Sequence, residues 1–110
     1  MSCVFCQILN TDSRILWVGA AAFAITPLNP VTPGHTLMIS RRHVLHAGYD
    51  VKVTGDTFKA AAEYVQWMCL SDFNLITSAG SLATQTIGHL HVHIVPRRPG
   101  DGLHLPWTVS

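Results

Sequence analysis

Polar and apolar residues alternate strictly near the C-terminus, where the chain reads Gly-His-Leu-His-Val-His-Ile-Val-Pro. Successive side chains of a β-strand point to opposite faces, so a strand over His89–Val95 would carry its histidines on one face. The residues between them, Leu90, Val92 and Ile94, would lie on the other face, and β-branched residues are typical of strands. The pattern predicts a strand with a buried apolar face and an imidazole face available for chemistry.

The stretch from Asp56 to Leu70 has a helical period instead. Its apolar residues recur at intervals of three and four, namely Phe58, Ala61, Ala62, Val65, Met68 and Cys69. This spacing predicts one amphipathic helix with Asp56 near its start and with Met68 and Cys69 in its buried face. An apolar turn over Cys3–Asn10 predicts a short N-terminal helix, which the polar residues 10–13 would end.

Shorter apolar runs predict the remaining strands, which are Arg14–Val18, Ala21–Ile25, His35–Ser40 and Phe73–Ser78. Three prolines exclude residues 26–34 from a helix or a sheet interior and predict a rigid loop. Residues 79–88 and 97–110 lack a period and are expected to be irregular. The pattern predicts a single α+β domain over residues 1–110, with a mostly antiparallel sheet of about five strands and one main helix packed on it.

Composition narrows the classes of function. The 110 residues carry a formal net charge of +1, and only 12% of them are charged, so the basic surface of a duplex nucleic-acid binder is missing and any phosphate ligand is expected to be small. No apolar run is long enough to span a membrane, and no secretion signal is evident, so a cytoplasmic location is expected. A hydrophobic fraction of 48% favours a subunit interface, and a dimer would add to the marginal stability of so short a chain.

Histidine and cysteine are the candidates for chemistry. Neutral imidazoles bind metals, accept protons near pH 7 or attack electrophiles such as phosphorus. The histidine strand therefore supports a nucleophilic site, a site in which all three imidazoles bind one catalytic metal, or ordinary half-buried histidines. The Cys-x-x-Cys pair of Cys3 and Cys6 is typical of half a zinc site or of a redox motif.

These pieces occur in one order along nearly the whole chain. They are Cys3-x-x-Cys6, the Pro-Gly-His-Thr-Leu run at 33–37, Arg42-His43-Val44, Gln85, the His-x-His-x-His strand and Pro96-Arg97-Arg98. This order resembles the histidine triad (HIT) family of nucleotide hydrolases and transferases, especially its small bacterial-type members. The resemblance implies a HIT-like fold and a purine nucleotide, or a conjugate of one, as the small-molecule ligand.

The resemblance also implies a two-step reaction at the α-phosphate. His91 would attack phosphorus and become nucleotidylated before water hydrolyses the intermediate. The backbone carbonyl of His89 would accept a hydrogen bond from His91, and His93 would donate to a phosphate oxygen. Gln85 matches the glutamine of the family's phosphate loop. His35 matches a histidine behind the triad, where it would orient its neighbours or serve as a satisfied core histidine.

The resemblance implies ligands as well as catalytic groups. The residues expected to contact substrate are Phe5, Ile8, Leu28, Asn29, Ser78, Thr86 and Trp107, with the first three forming an apolar slot for the base. Val4 falls in the same region, where core packing is an equal alternative. The implied ligands of a structural zinc ion are Cys3, Cys6, His43 and His89, with His46 as a competing ligand.

Three positions depart from the family pattern. Pro27 stands where relatives carry an acidic or amide residue that binds ribose, Thr84 stands where they carry glycine, and Ser78 where they carry asparagine. The region between Val44 and Phe73 is also shorter than in typical members. In relatives the helix of this region and the strand that follows it build the dimer interface, so the resemblance implies a homodimer. These departures keep a second hypothesis open, in which the chain is a nucleotide-binding protein with weakened catalysis and a structural zinc site.

Overall fold

A computed structural model of the chain describes residues 3–11 and 14–108, and within them five strands form one sheet. The strands are β1 (Ile15–Val18), β2 (Ala22–Ile25), β3 (Thr36–Ser40), β4 (Phe73–Ile76) and β5 (His91–Pro96). They lie in the order β1-β2-β3-β5-β4, and every neighbouring pair is antiparallel. The predicted α+β class, with a five-stranded antiparallel sheet, is confirmed.

Two helices cover opposite faces of this sheet, and the alternation along β2 shows why. Ala22 and Ala24 face the longer helix, α2 (Val51–Trp67), which packs there through Ala60 and Ala61. Phe23 and Ile25 point the other way, where the short helix α1 (Val4–Thr11) packs through Phe5 and Ile8. Small side chains on one face allow the long helix to approach closely, and large ones on the other face fill the space beneath the short helix.

The start of α2 was predicted wrongly. The helix begins at Val51 because the side chain of Asp50 accepts hydrogen bonds from the backbone N–H groups of Lys52 and Val53, which caps the first turn. Asp56 lies one turn further on and forms an ion pair with Lys52. Val51 is 89% exposed, whereas Val53 in the same turn is buried and extends the apolar face of the helix beyond the predicted start.

The end of α2 also differs from the prediction. The helix stops at Trp67, and Cys69 follows with a φ of 56°, in the left-handed region. The N–H of Cys69 donates to the carbonyl of Gln66, and that of Leu70 donates to Val65, which is the Schellman pattern of a helix C-terminus. A core role for Met68 and Cys69 was therefore wrong, since Met68 is 47% exposed and Cys69 is exposed.

The histidine strand begins two residues later than predicted, at His91. His89 and Leu90 lie in the preceding segment, where their N–H groups donate to the carbonyls of Ile87 and Val44. The loop at 79–88 contains one short 3-10 turn, Ser81–Ala83. Of the predicted polar end of α1, residues 12 and 13 lie outside the described residues, as do residues 109 and 110 of the tail.

Among residues 3–11 and 14–108, no helix has the length and apolarity needed to cross a membrane. The cytoplasmic location stays a prediction.

Candidate active site

The pairing of β3 with β5 places two histidines beside a cavity. Leu37 pairs with His93 and Ile39 with His91, so both imidazoles lie on the sheet face that carries α1. A cavity of about 540 Å³ opens there, and His91 and His93 both line it. Its other walls are the inner side of α1, the proline-rich loop and the loop that precedes His89.

His91 is held in a single tautomer by the backbone. Its Nδ1 lies 2.8 Å from the carbonyl oxygen of His89, and because a carbonyl only accepts, Nδ1 carries the proton. The lone pair of the neutral ring is therefore on Nε2. The Thr77 hydroxyl donates to the carbonyl of His91 at 2.7 Å, and the ring of Phe5 packs edge-on at 5.2 Å between centroids. These contacts fix both the backbone and the ring of His91.

A second chain of hydrogen bonds orients His93. The backbone N–H of Val31 donates to Nδ1 of His35 at 3.1 Å, which leaves the proton of neutral His35 on Nε2. That nitrogen lies 3.0 Å from Nδ1 of His93, so His35 donates and His93 accepts. The remaining proton of His93 is then on its Nε2. His35 is 5% exposed, and this contact supports an orienting role for it over simple core filling.

Burial favours the neutral forms of His35 and His93. Burial lowers the pKa of His35. Burial, followed by the positive fields of His91 and His35, lowers the pKa of His93 to about 4. At neutral pH His93 therefore offers an N–H donor without a charge.

Gln85 lies in the loop that precedes His89, and its side chain is hydrogen-bonded to backbone groups. Its Oε1 accepts from the N–H of Gly80 at 2.9 Å, and its Nε2 donates to the carbonyls of Leu45 and Ile87 at 2.7 and 2.9 Å. Both of its amide hydrogens and its oxygen are thus bonded to backbone, so a direct catalytic contact of Gln85 stays a prediction. Thr84 beside it has a φ of 68°, a left-handed conformation that costs a β-branched residue about 1–2 kcal/mol.

Four side chains form a metal-ligating group near the N-terminal end of α1. The donor atoms of Cys3, Cys6, His43 and His89 all lie within 4.8 Å of one another. The Cys3 and Cys6 sulfurs lie 3.2 and 3.7 Å from Nδ1 of His89, and Cys6 lies 3.3 Å from Nδ1 of His43. Two ligands of a tetrahedral zinc ion are separated by about 3.6 Å, so the spacing fits that geometry.

The protonation of this group fits a metal as well. Nε2 of the buried His89 donates to the carbonyl of Ser40 at 2.7 Å, so its Nδ1 presents a lone pair to the sulfurs. Burial and the neighbouring Cys3 raise the pKa of the Cys6 thiol, a cost that a bound cation would offset. His46 uses its Nδ1 to accept from Gly48 and lies outside the group, as do His91 and His93.

Comparison with known proteins places this arrangement in a family. Residues 9–100 match the HIT domain. The chain belongs to the HIT family. The adenosine 5′-monophosphoramidase of Saccharomyces cerevisiae is 30% identical over 114 residues, a match that covers 99% of this chain and 72% of the yeast protein.

Two solved HIT structures have the same fold. A HIT family hydrolase from Clostridium thermocellum superposes with a TM-score of 0.79 at 29% identity, covering 90% of this chain and 93% of that one. A zinc-bound histidine triad family protein from Mycobacterium smegmatis superposes with a TM-score of 0.79 at 30% identity, covering 94% and 81%.

The HIT cavity brings together most of the residues expected to bind substrate. Those that line it are Phe5, Ile8, Leu28, Asn29, Ser78 and Thr86, and the departures Pro27 and Thr84 line it too. Val4 is 47% exposed and lines the cavity, so core packing is not its role. Trp107 is 77% exposed and lies outside the lining, and its expected contact with substrate stays a prediction.

The cavity of this HIT protein also includes residues that sequence reasoning missed, namely Arg14, Ile25, Val31, Leu37 and Ile87. Ile25 and Leu37 were placed in strands, but their shared face with the triad depends on strand order. Val31 acts through its backbone N–H, which residue type does not reveal. The sequence shows only that Arg14 comes just before β1. To place its side chain at the cavity, the register of β1 in the sheet must also be known.

Proposed function

We propose that this HIT protein hydrolyses purine nucleotide conjugates, nucleoside phosphoramidates among them, at the α-phosphate through a nucleotidyl intermediate on His91. The observation that carries the proposal is the tautomer of His91. Its Nδ1–H is bound to the carbonyl of His89, and its lone pair lies on Nε2 of a ring that lines the cavity. The name of the yeast relative, a monophosphoramidase, supports this class of substrate.

In the first step Nε2 of His91 bonds to phosphorus while the bond from phosphorus to the leaving group breaks. The departing group takes up a proton from solvent, and the imidazole becomes positively charged. The carbonyl of His89 stabilises that charge through its hydrogen bond with Nδ1–H. In the second step water attacks phosphorus and releases a proton to solvent, the bond to Nε2 breaks, and the nucleoside monophosphate leaves the neutral imidazole.

His93 acts on the phosphate oxygens in both steps. Its Nδ1 is occupied by His35, so its Nε2–H is the donor available to an oxygen on phosphorus. A donor placed where negative charge grows in the transition state lowers the barrier. Because His93 stays neutral at pH 7, it does not repel the positive charge that develops on His91 next to it.

Cys3, Cys6, His43 and His89 would hold the zinc ion. Its contribution when bound is structural, since four ligands would close a tetrahedral site and tie α1 to the sheet. His89 belongs to both sites of this chain. Its ring faces the sulfurs while its carbonyl accepts from His91, so holding the ring also holds the acceptor on which the nucleophile depends.

The second candidate is a nucleotide-binding protein with weakened catalysis. It is favoured by the strained Thr84 and by Gln85, which lines the cavity but whose amide groups are all hydrogen-bonded to backbone. Under this alternative the wild-type chain binds a nucleoside monophosphate but turns over no conjugate.

The test is turnover of adenosine 5′-phosphoramidate by His91→Asn. We expect kcat to fall by more than about 10³-fold, because the nucleophile is lost while Asn preserves much of the polarity and size of the side chain. The matched control is His104→Asn at an exposed position in the tail, which should retain wild-type turnover. Mass spectrometry of wild-type protein quenched in alkali during turnover should show a gain of one adenylyl group, absent from His91→Asn.

Turnover by His91→Asn at the wild-type rate would refute the mechanism. An inactive wild-type chain that still binds adenosine 5′-monophosphate would establish the second candidate instead.

A further inference from the structure

A row of paired residues crosses four strands of the sheet, and three of its members, Ile25, Leu37 and His93, line the cavity. Ile15 pairs with Ile25, Ile25 with Leu37, and Leu37 with His93, so each of four adjacent strands contributes one residue to the row. Neighbouring strands are about 4.8 Å apart, which puts the β1 end of the row roughly 14 Å from His93. This span suits a nucleotide laid across the strands with its phosphate at the triad.

The floor between the two ends is apolar. Ile25 and Leu37 are 1% and 7% exposed and line the cavity, with Phe5 and Ile8 of α1 beside them. A base on this floor gains contact area through its π-face, whatever its identity. The apolar floor therefore binds any purine base without preference. A preference for one base must come from the residues at the β1 end of the row.

Arg14 occupies that far end. It comes directly before β1, its side chain is half-buried, and it lines the same cavity. The cavity-lining residues, all of them within 3–11 and 14–108, include no Lys, Asp or Glu, so Arg14 brings the one permanent charge to this wall. Guanidinium has five N–H donors in a planar fork and no acceptor.

We propose that Arg14 determines base specificity by donating to O6 and N7 of a 6-oxopurine, so that guanine and hypoxanthine are preferred over adenine. The two acceptors match the fork of the guanidinium. Adenine presents an amino donor in place of O6, and two donors facing each other lose a hydrogen bond. This assignment rests on the proposed function, because it requires the phosphate to bind at the triad.

The test is equilibrium binding of guanosine, inosine and adenosine 5′-monophosphates, which need no turnover. We expect wild-type protein to bind the guanosine and inosine nucleotides about tenfold or more tightly than the adenosine nucleotide. Arg14→Gln should bring the ratio close to one with little change in the affinity for adenosine 5′-monophosphate. Arg14→Lys should retain part of the preference, and 7-deazaguanosine 5′-monophosphate should lose part of it because N7 is absent.

Arg42→Ala is the matched control, since it removes one positive charge from an exposed site outside this cavity and should leave the ratio unchanged. Equal affinity of the wild-type chain for all three nucleotides would overturn the inference. So would a preference for guanosine without inosine, which would point to the 2-amino group, or an equal loss for every base in Arg14→Gln. Failure of all the nucleotides to bind would overturn the proposed function along with it.

Discussion

At the scale of single residues, backbone groups place the protons on which the site depends. The carbonyl of His89 fixes the proton of His91, and the N–H of Val31 fixes the acceptor nitrogen of His35. The carbonyl of Ser40 fixes the proton of His89 on Nε2. Since a backbone N–H only donates and a carbonyl only accepts, each contact selects one tautomer. The position of a histidine in the motif therefore matters less than the backbone group that its ring meets.

The depressed pKa of His93 predicts a pH dependence of stability. The unfolded chain protonates this residue near pH 6.5, whereas the folded chain does so only at about pH 4. The free energy of unfolding should therefore decrease as pH falls from 6.5 towards 4 and lose no more below that range. Between pH 7 and pH 5, the protonation of His93 alone should lower the free energy of unfolding by about 1–2 kcal/mol.

The measurement is urea unfolding at pH 7 and pH 5 for wild type and His93→Gln, prepared with the same metal content. The difference between the two pH values should be smaller in His93→Gln, which has no titrating group there. Because both proteins keep the same metal ligands, those groups cancel from the comparison. Equal pH dependence in the two proteins would contradict the assignment.

At the scale of elements, the ends of α2 depend on two short-range devices. Asp50 caps the first turn, and the left-handed residue Cys69 closes the last one. Asp50 is a common type of N-cap residue. Cys69 is unusual, because glycine is the residue that most often follows a helix in the left-handed conformation. A left-handed conformation costs a residue with a Cβ about 1–2 kcal/mol.

Replacing Cys69 by glycine should therefore stabilise the protein. Part of the relieved strain is offset by the greater freedom of glycine in the unfolded chain, which leaves an expected gain of about 0.5–1 kcal/mol. Thermal unfolding followed by circular dichroism should show a midpoint about 2–6 °C higher. The matched control is Cys69→Ala, which removes the thiol but keeps the Cβ and should not be stabilised. An equal gain in both variants would show that the thiol, not the backbone, is responsible.

At the scale of the whole molecule, the metal-ligating group joins three separate parts of the chain. Cys3 and Cys6 come from α1 and the residue before it, His43 from the segment after β3, and His89 from the segment before β5. Without a metal, α1 rests on the sheet mainly through Phe5 and Ile8. A bound ion would therefore contribute to global stability, since the unfolded chain does not hold the four ligands together.

Removal of the metal should lower stability markedly. For zinc-loaded protein, dialysis against a strong chelator should lower the unfolding midpoint by about 10 °C or more, and added zinc should restore it. Elemental analysis should give one zinc per chain before dialysis. Cys3→Ser should be insensitive to the chelator, whereas Cys69→Ser, which changes an exposed cysteine outside the group, should respond as wild type does. A loaded wild type whose midpoint ignores the chelator would refute a structural ion.

The expected homodimer also belongs to this scale and stays a prediction. Trp67 at the end of α2, Met68 after it and Ile76 in β4 are 62%, 47% and 38% exposed, and β4 is an edge strand. These are the elements with which the resemblance associates the interface.

The sequence by itself determined the features that depend on residues close together along the chain. The alternation after Gly88 gave a strand, the period after Asp56 gave most of a helix, and the order of motifs led to the family. Local pattern was weaker at boundaries, because Asp50 and Asp56 are both capable caps and only the fold selects one.

Only the tertiary structure decided which groups meet. The contacts of His35 with His93 and of Cys3 with His89 span 58 and 86 positions of the chain, and Arg14 reaches the cavity only because β1, β2 and β3 lie side by side with β5. Periodicity reports which face a side chain occupies, but not which strand lies next to it or in what register. The protons and the metal ligands of this site depend on that long-range order, and for this reason its chemistry could be named from the sequence before its geometry could be known.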